Sequence, residues 1–228
     1  MIDAVLFDLD GTLADTAPDM ARTVNLMRER RGLAPVPMAQ VRPFVSRGAR
    51  GMIISAFGIN TDHPDFGAMR EEFLDIYAGN LCVETCLFPG MDALLEHLDS
   101  RAIGWGVVTN KFERLARPVM EALGLGERVG VIVGGDTCAR AKPFPDPLLH
   151  AAVTLGVAPM RTLYVGDDER DVQAARAAGM PVLAAAYGYL GDGPPPSLWG
   201  ADAVVDSPAA LHEWIREANR AEPRRIAG

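Results

Sequence analysis

The sequence has few cysteines and no excess of positive charge. Its 228 residues include three cysteines, which are too few for a disulfide framework. The 22 basic residues are outnumbered by 30 acidic ones, so the net charge is −8 and the isoelectric point is near 5.0. Nucleic acids and acidic membranes attract clustered Lys and Arg, so this charge argues against both as partners.

The sequence also lacks a long apolar run. No stretch approaches the roughly 18 residues that a membrane span needs. The first residues, MIDAVLFDLDG, carry no cationic start of the kind that opens a signal peptide. We therefore expect a cytoplasmic protein with no membrane association.

What is present is typical of a folded α/β protein. Hydrophobic residues make up 49% and charged residues 23%, which excludes a disordered chain. Short apolar runs alternate with helical patterns, and this alternation predicts an open, mostly parallel, doubly wound sheet of the Rossmann-like type. The predicted strands are Ala4–Phe7, Trp105–Val108, Val129–Val133, Leu163–Val165 and Val182–Ala186. The predicted helices between them are Phe112–Leu123, Pro145–Leu155 and Asp168–Ala178.

One stretch interrupts the alternation. From Thr16 to about Phe88 we find helical spacing and no strand, with a helix predicted to begin in a capping box formed by Thr16 and Asp19. This predicts an all-helical insertion, the cap, over residues 15–88. The catalytic core then comprises residues 1–14 and 89–228, and we expect its tail, residues 222–228, to be frayed.

Polar side chains follow the predicted strands at the points where they end. Asp8 and Asp10 follow the first strand and Thr109 follows the second, while Lys142 and Asp167 come after later strands. The carboxyl ends of parallel strands meet at one edge of the sheet, where ligands bind. Clustered carboxylates need a cation, and hard oxygen ligands favour Mg²⁺, which also takes a substrate phosphate.

These motifs together resemble the haloacid dehalogenase superfamily of aspartate-nucleophile phosphatases with a helical cap. The matching strings are Asp8-Leu-Asp10-Gly-Thr12, Thr109-Asn110-Lys111, Lys142-Pro143-Phe-Pro145 and Gly166-Asp167-Asp168-Glu-Arg-Asp171. Within the family the sequence is similar to the phosphoglycolate phosphatase group. Shorter strings, Tyr187-Gly-Tyr189 among them, resemble phosphatases that act on N-acetylmuramic acid 6-phosphate. The resemblance implies a small, carboxylated phosphate ester as substrate and leaves open which one.

The resemblance also implies a role for each motif. Asp8 is the nucleophile that forms an aspartyl-phosphate, and Asp10 is the general acid and then the general base. Thr109 and Asn110 hold the phosphoryl group, and Lys142 neutralises its charge.

For the metal, the resemblance implies the Asp8 carboxylate, the Asp10 backbone carbonyl and the Asp167 carboxylate as ligands of Mg²⁺. Asp171 supports these ligands without binding the ion, although its position also allows a role as a helix cap only. Asp168 stands where the family usually has Ser or Thr, a departure that leaves the ligand set intact. We expect Asp168 to cap a helix or support the ligands and not to bind the ion.

Other functions share parts of this pattern. A dehalogenase of the same superfamily would keep Asp8 without needing Asp10 or Mg²⁺, and a sugar-phosphate mutase would pass the phosphate to another hydroxyl. A phospho-aspartate signalling module would hold its phosphate without hydrolysing it. The Asp-x-Asp spacing of Asp8 and Asp10, with the helical insertion, favours the phosphatase.

Substrate selectivity must come from the cap, because the core motifs handle only the phosphoryl group. Arg47 and Arg50 are three residues apart, on one face if that stretch is helical. A guanidinium suits bidentate pairing with a carboxylate, so we predict that at least one of them binds the substrate carboxylate. The sequence leaves open whether the protein is a monomer or a homodimer.

Overall fold

A six-stranded parallel sheet forms the centre of the computed structural model, which describes residues 1–220. The predicted frayed tail, residues 222–228, lies outside the described residues. The strands are Ala4–Phe7 (β1), Gly104–Val108 (β4), Val131–Val133 (β5), Thr162–Gly166 (β6), Val182–Ala185 (β7) and Ala203–Val205 (β8). Their order across the sheet is β5-β4-β1-β6-β7-β8.

Helices cover both faces of this sheet, which explains the continuous apolar strands. On one face Val5 and Phe7 pack against three helices; on the other, Leu6 packs against two. The helices on the face of Val5 and Phe7 are Met91–Ser100 (α5), Glu113–Ala122 (α6) and Pro208–Arg220 (α9). The helices on the face of Leu6 are Asp146–Leu155 (α7) and Glu169–Ala177 (α8). The predicted doubly wound α/β fold is confirmed. Within residues 1–220, no helix combines the length and apolarity needed to cross a bilayer.

The first strand lies at the point where the connections of the sheet change direction. β1 pairs with β4 on one side and with β6 on the other, all in parallel register. From β1 the chain builds one half of the sheet through β4 and β5, then returns to build the other half from β6. In such sheets a crevice opens at the carboxyl ends of the strands at this switch point. Asp8 therefore lies at the position where ligands bind in sheets of this kind.

Four α-helices and one 3₁₀ helix form a separate packed unit over that crevice. They are Ala17–Glu29 (α1), Met38–Val41 (α2), the 3₁₀ helix Arg42–Arg47, Gly48–Phe57 (α3) and Phe66–Ala78 (α4). The side chains predicted to share helical faces, among them Met20, Val24, Phe73 and Tyr77, are buried in one apolar cluster. These helices thus share one apolar core, to which Leu115 and Tyr189 from outside the cap also contribute.

Two strands were not expected where they occur. Ala14–Asp15 (β2) and Cys86–Leu87 (β3) pair antiparallel, so the prediction of no strand between Thr16 and Phe88 is wrong for β3. Two residues are too short to show any periodicity, and only the return of the chain beside β2 creates the pair. It joins the two connections between the sheet and the cap helices. The edge strand β8 was also not predicted, because it has only three residues and Val204 is exposed.

Candidate active site

The turn after β1 presents two carboxylates at the switch point of the sheet. The backbone N–H of Asp8 donates to the carbonyl of Val165 at 2.9 Å, which fixes the residue beside β6. Gly11 follows with φ +89°, and a Cβ there would overlap the carboxylate of Asp167. Glycine is therefore required for the turn to approach Asp167 so closely.

Three buried carboxylates cluster around this turn. Asp8, Asp167 and Asp171 each offer an oxygen atom, and these atoms lie within 4.8 Å of one another. Burial raises the pKa of Asp167 well above its usual range, and the charges of Asp8 and Asp171 raise it further. Burial, opposed by Lys142, raises the pKa of Asp171 to about 6. Such a surplus of buried negative charge fits a site for a divalent cation with oxygen ligands.

Lys142 is buried against two of these carboxylates. Its Nζ lies 2.6 Å from Asp171 Oδ1 and 3.0 Å from Asp8 Oδ1, and it donates to the carbonyl of Val108 at 2.9 Å and to the hydroxyl of Tyr164 at 2.8 Å. Burial alone would lower the pKa of Lys142, but Asp171 and Asp8 raise it, so the ammonium stays charged. The predicted lysine is thus held beside the predicted nucleophile.

Thr109 and Asn110 lie at the end of β4, beside Lys142. The Asn110 side chain accepts from the backbone N–H of Lys142 and donates to its carbonyl, both at 3.0 Å. Asn110 therefore fixes the segment that carries the lysine, a role that sequence reasoning did not foresee. The hydroxyl of Thr109 accepts from the N–H of Lys111 at 3.2 Å, and both Thr109 and Asn110 line the site cavity.

The carboxylate of Asp10 is held by two donors. Lys111 Nζ lies 2.8 Å from Oδ1 and 3.1 Å from Oδ2, and the Thr16 hydroxyl donates to Oδ1 at 2.6 Å. The predicted capping box at the start of α1 is wrong, because Thr16 bonds to Asp10 instead. Asp19 accepts from the backbone N–H groups of residues 83–85, which tie the returning connection to α1.

Asp168 and Asp171 form the capping box of α8. The Asp168 side chain accepts from the N–H of Arg170, and the Asp171 carboxylate accepts from the N–H of Asp168 at 3.1 Å. Asp171 does more than cap, because its other oxygen bonds to Lys142. Asp168 also pairs with the Arg170 guanidinium at 2.7 Å, and Arg170 reaches the carbonyl of Ser46 in the cap.

A cavity of about 290 Å³ lies between these core residues and the cap helices. Asp8, Asp10 and Lys142 line it on the core side, and apolar side chains such as Phe73 and Leu74 line it on the cap side. One cap residue reaches deeper, because the Ser46 hydroxyl donates to Asp167 Oδ2 at 3.0 Å. The cap therefore reaches the carboxylate cluster directly.

Arg47 and Arg50 both line this cavity, but in different settings. Arg47 ends the 3₁₀ helix and Arg50 belongs to α3, because Gly48 between them adopts φ +58°. The condition for a shared helical face, one continuous helix through both arginines, is therefore not met. Arg47 pairs with Asp192, whereas Arg50 makes no hydrogen bond or ion pair within the part of the chain that the structure describes.

The amino-acid sequence matches the model of one known protein family. Residues 5–185 match the family model for haloacid dehalogenase-like hydrolases, and this range contains Asp8, Lys142 and Asp167. The chain belongs to the haloacid dehalogenase-like hydrolase family.

Named relatives of this hydrolase cover nearly the whole chain. It is 50% identical to a phosphoglycolate phosphatase of Xanthomonas campestris pv. campestris, over 92% of this chain and 95% of the relative. It is 45% identical to an N-acetylmuramic acid 6-phosphate phosphatase of Pseudomonas aeruginosa, over 95% and 96%. Among solved structures, a predicted phosphoglycolate phosphatase from Haemophilus somnus 129PT superimposes with a TM-score of 0.82. Its sequence identity is 27%, over 94% of this chain and 98% of that one.

Lys111 is one of the residues of this hydrolase that sequence reasoning missed. It stands in the motif Thr109-Asn110-Lys111, but no role was predicted for it. A signal was available: the chain has 20 arginines and only two lysines, Lys111 and Lys142. Both lysines are buried, each against a carboxylate of the turn after β1.

Proposed function

We propose that this hydrolase is a Mg²⁺-dependent phosphomonoesterase that acts through an aspartyl-phosphate on Asp8. The observation that carries the proposal is the pairing of Asp8 with Lys142 at 3.0 Å, beside a second carboxylate, Asp10, on the same turn. A nucleophile, a fixed cation and a proton-transfer group then face one cavity. These are the groups that phosphoryl transfer by covalent catalysis requires.

The reaction proceeds in two half-reactions. First, an Asp8 carboxylate oxygen attacks phosphorus, the bond to the leaving oxygen breaks with its electron pair, and protonated Asp10 gives that oxygen its proton. Second, the Asp10 carboxylate takes a proton from water as the water oxygen attacks phosphorus. The bond from phosphorus to Asp8 breaks, its electron pair returns to the carboxylate, and inorganic phosphate leaves. Asp10 is then protonated again.

The carboxylates of Asp8 and Asp167 and the carbonyl of Asp10 would hold Mg²⁺, with Asp171 supporting them through its bond to Lys142. The ion would supply charge stabilisation for the phosphoryl oxygens. Lys142 neutralises the remaining charge between Asp8 and Asp171, and Ser46 and the N–H of Tyr189 orient Asp167.

We expect activity to be lost in chelator and restored by Mg²⁺, and we expect Asp167→Asn to weaken Mg²⁺ binding at least ~10-fold. The reason is that the variant removes one of the buried charges that the ion neutralises. Isothermal titration of Mg²⁺ into the purified variants measures this directly. Asp168→Asn is the matched control, since Asn still caps a helix, and its affinity should stay close to wild type. Full activity in chelator would contradict the metal assignment.

Asp10 separates this proposal from the alternatives within the superfamily. A dehalogenase needs no such acid, yet here Asp10 is held by Lys111 and Thr16 beside the nucleophile. A mutase and a phospho-aspartate signalling module would both keep the phosphoryl group. Steady release of inorganic phosphate from a monoester would exclude these two, and release of halide from a 2-haloacid without phosphatase activity would overturn the proposal.

For the substrate we propose a carboxylated sugar phosphate, N-acetylmuramic acid 6-phosphate, ahead of 2-phosphoglycolate. The cavity, about 290 Å³, is close to the lower end of the roughly 300–1,000 Å³ range of small-molecule sites. Its cap wall carries Val45, Phe73 and Leu74, which a sugar ring can cover and the single methylene of glycolate cannot. The names of the relatives include both substrates, which supports a test of the pair.

The test compares kcat/KM for both esters and for a neutral sugar phosphate with Mg²⁺ present. We expect the highest value for N-acetylmuramic acid 6-phosphate. A higher value for 2-phosphoglycolate would reverse the choice of substrate and keep the phosphatase. No phosphate release from any ester would overturn the proposed function itself.

Arg50→Ala should lower kcat/KM for carboxylated esters by roughly 30-fold, which corresponds to about 2 kcal/mol. Arg50 lines the cavity without a partner in residues 1–220, so its guanidinium is free to pair with the substrate carboxylate. Arg47→Ala is the comparison variant, and its effect should be smaller because Arg47 already pairs with Asp192. Neutral phosphate esters should be nearly unaffected. Equal losses for carboxylated and neutral esters would show that Arg50 does not bind the carboxylate.

A further inference from the structure

Each of the two lysines of the chain contacts one of the two carboxylates in the turn after β1. Lys142 contacts Asp8, and Lys111 contacts Asp10. The other 20 basic residues are arginines, so lysine occurs only at these two buried positions. An ammonium is a compact charge with three donors, which suits a small buried pocket better than a guanidinium.

The three donors of Lys111 match three acceptors. Its Nζ lies 2.8 Å and 3.1 Å from the two oxygens of Asp10 and 2.9 Å from the hydroxyl of Tyr77. The side chain is only 7% exposed, and the ammonium also lies over the Tyr77 ring, 4.6 Å from its centroid. An ammonium with all its donors satisfied is held in one orientation.

Tyr77 belongs to the cap, not to the sheet. It lies on α4, is 1% exposed and stacks on Phe73, with 5.9 Å between the ring centroids. Its ring is therefore packed in the apolar core of the cap helices, while its hydroxyl reaches Lys111. A chain of contacts runs from α4 through Lys111 to the Asp10 carboxylate.

We propose that Tyr77 and Lys111 are positioning residues for the carboxylate of Asp10, so that cap helix α4 takes part in the proton-transfer step. The inference rests on the proposed function, in which Asp10 moves a proton in both half-reactions. Displacement of a proton-transfer group by about 1 Å can cost on the order of 10²-fold in rate. Lys111 acts on the orientation of Asp10, and Tyr77 acts on the position of Lys111.

The two half-reactions make this role measurable with p-nitrophenyl phosphate. Its leaving group departs without a proton, so formation of the phosphoenzyme on Asp8 does not depend on Asp10. Attack of water does depend on Asp10, which must accept the proton. A displaced Asp10 therefore slows only the second half-reaction, and phosphoenzyme accumulates. A merely structural role would lower the active fraction and would not change the ratio of the two rates.

The experiment follows p-nitrophenolate release by stopped flow in Tyr77→Phe and Lys111→Met. We expect kcat to fall roughly 10-fold and 100-fold respectively, with a pre-steady-state burst larger than that of the wild type. The kcat/KM for p-nitrophenyl phosphate and the inhibition constant of inorganic phosphate should change less than about twofold, because neither residue binds the phosphoryl group, and KM should therefore fall together with kcat. Arg117→Met is the matched control, since it removes an exposed cation paired with Glu113 and should behave as wild type.

Two results would overturn the inference. One is an unchanged burst and kcat in Tyr77→Phe. The other is a rise in KM and weaker inhibition by phosphate with no change in kcat, which would make Lys111 a phosphate-binding residue. Tyr77→Phe keeps the ring and removes one hydroxyl, so it decides the matter even if Lys111→Met does not fold. Wild-type enzyme that releases no phosphate from any ester would instead refute the proposed function.

Discussion

Asp8→Asn should reduce kcat at least ~10³-fold while the protein stays folded. The substitution keeps the size of the side chain and its bond from the N–H of Leu9, but removes the nucleophilic oxygen and one charge at the metal site. It also removes a negative charge from the cluster with Asp167 and Asp171, so we expect the Tm in the absence of Mg²⁺ to stay at or above that of the wild type. Steady-state kinetics and thermal unfolding together check both parts.

The control for this variant is Asp206→Asn. Asp206 is an exposed carboxylate outside the site, so its variant should match the wild type in both measurements. If Asp8→Asn kept more than a tenth of the wild-type kcat, covalent catalysis by Asp8 would be wrong. If it were inactive only because it had unfolded, thermal unfolding would show this directly.

Lys142→Met should lower both activity and stability. The ammonium is the only cation in contact with Asp8 and Asp171 among the described residues, and it also donates to the hydroxyl of Tyr164. Removing one partner of a buried ion pair typically costs about 3–5 kcal/mol, because a charge is left buried without compensation. We expect this loss in the free energy of unfolding without Mg²⁺, part of it recovered with Mg²⁺, and a fall of roughly 10³-fold in kcat.

Denaturant unfolding with and without Mg²⁺ measures the stability part of this prediction. Arg128→Met is the control, because it breaks an exposed ion pair with Asp99, and such pairs contribute about 1 kcal/mol or less. If Lys142→Met were as stable as that control, the charge of Lys142 would not stabilise the buried carboxylates of Asp8 and Asp171. If its kcat stayed within tenfold of wild type, Lys142 would have no part in the chemistry.

The sheet could be predicted from the sequence because its strands are buried on both faces. An apolar run that ends in polar residues then identifies the strand and its carboxyl end together, as at Phe7-Asp8 and Val165-Gly166-Asp167. Five predicted strands lie within two residues of the observed ones for this reason. The strands that escaped prediction, β2, β3 and β8, have two or three residues each and depend on a partner that comes from elsewhere in the chain.

The site was predictable where a residue follows a strand and unpredictable where it depends on the cap. Asp8, Asp167 and Lys142 come together because parallel strands deliver them to one edge. The bond between Lys111 and Tyr77 joins residues 34 positions apart on different packed units, and no local pattern reveals it. Thr16 stands in the sequence pattern of a helix cap, but its hydroxyl donates to the Asp10 carboxylate, which lies 2.6 Å away.

The most direct test of the central claim is to look for the phosphoryl group on Asp8. Asp10→Asn enzyme with p-nitrophenyl phosphate should form the phosphoenzyme normally and hydrolyse it slowly, because the leaving group needs no proton and the water does. Acid quenching after one turnover, followed by peptide mass mapping, should place one phosphoryl group on Asp8 and none on the Asp8→Asn, Asp10→Asn double variant. A phosphoryl group on another residue, or phosphate released with no phosphoenzyme at any time point, would contradict the account.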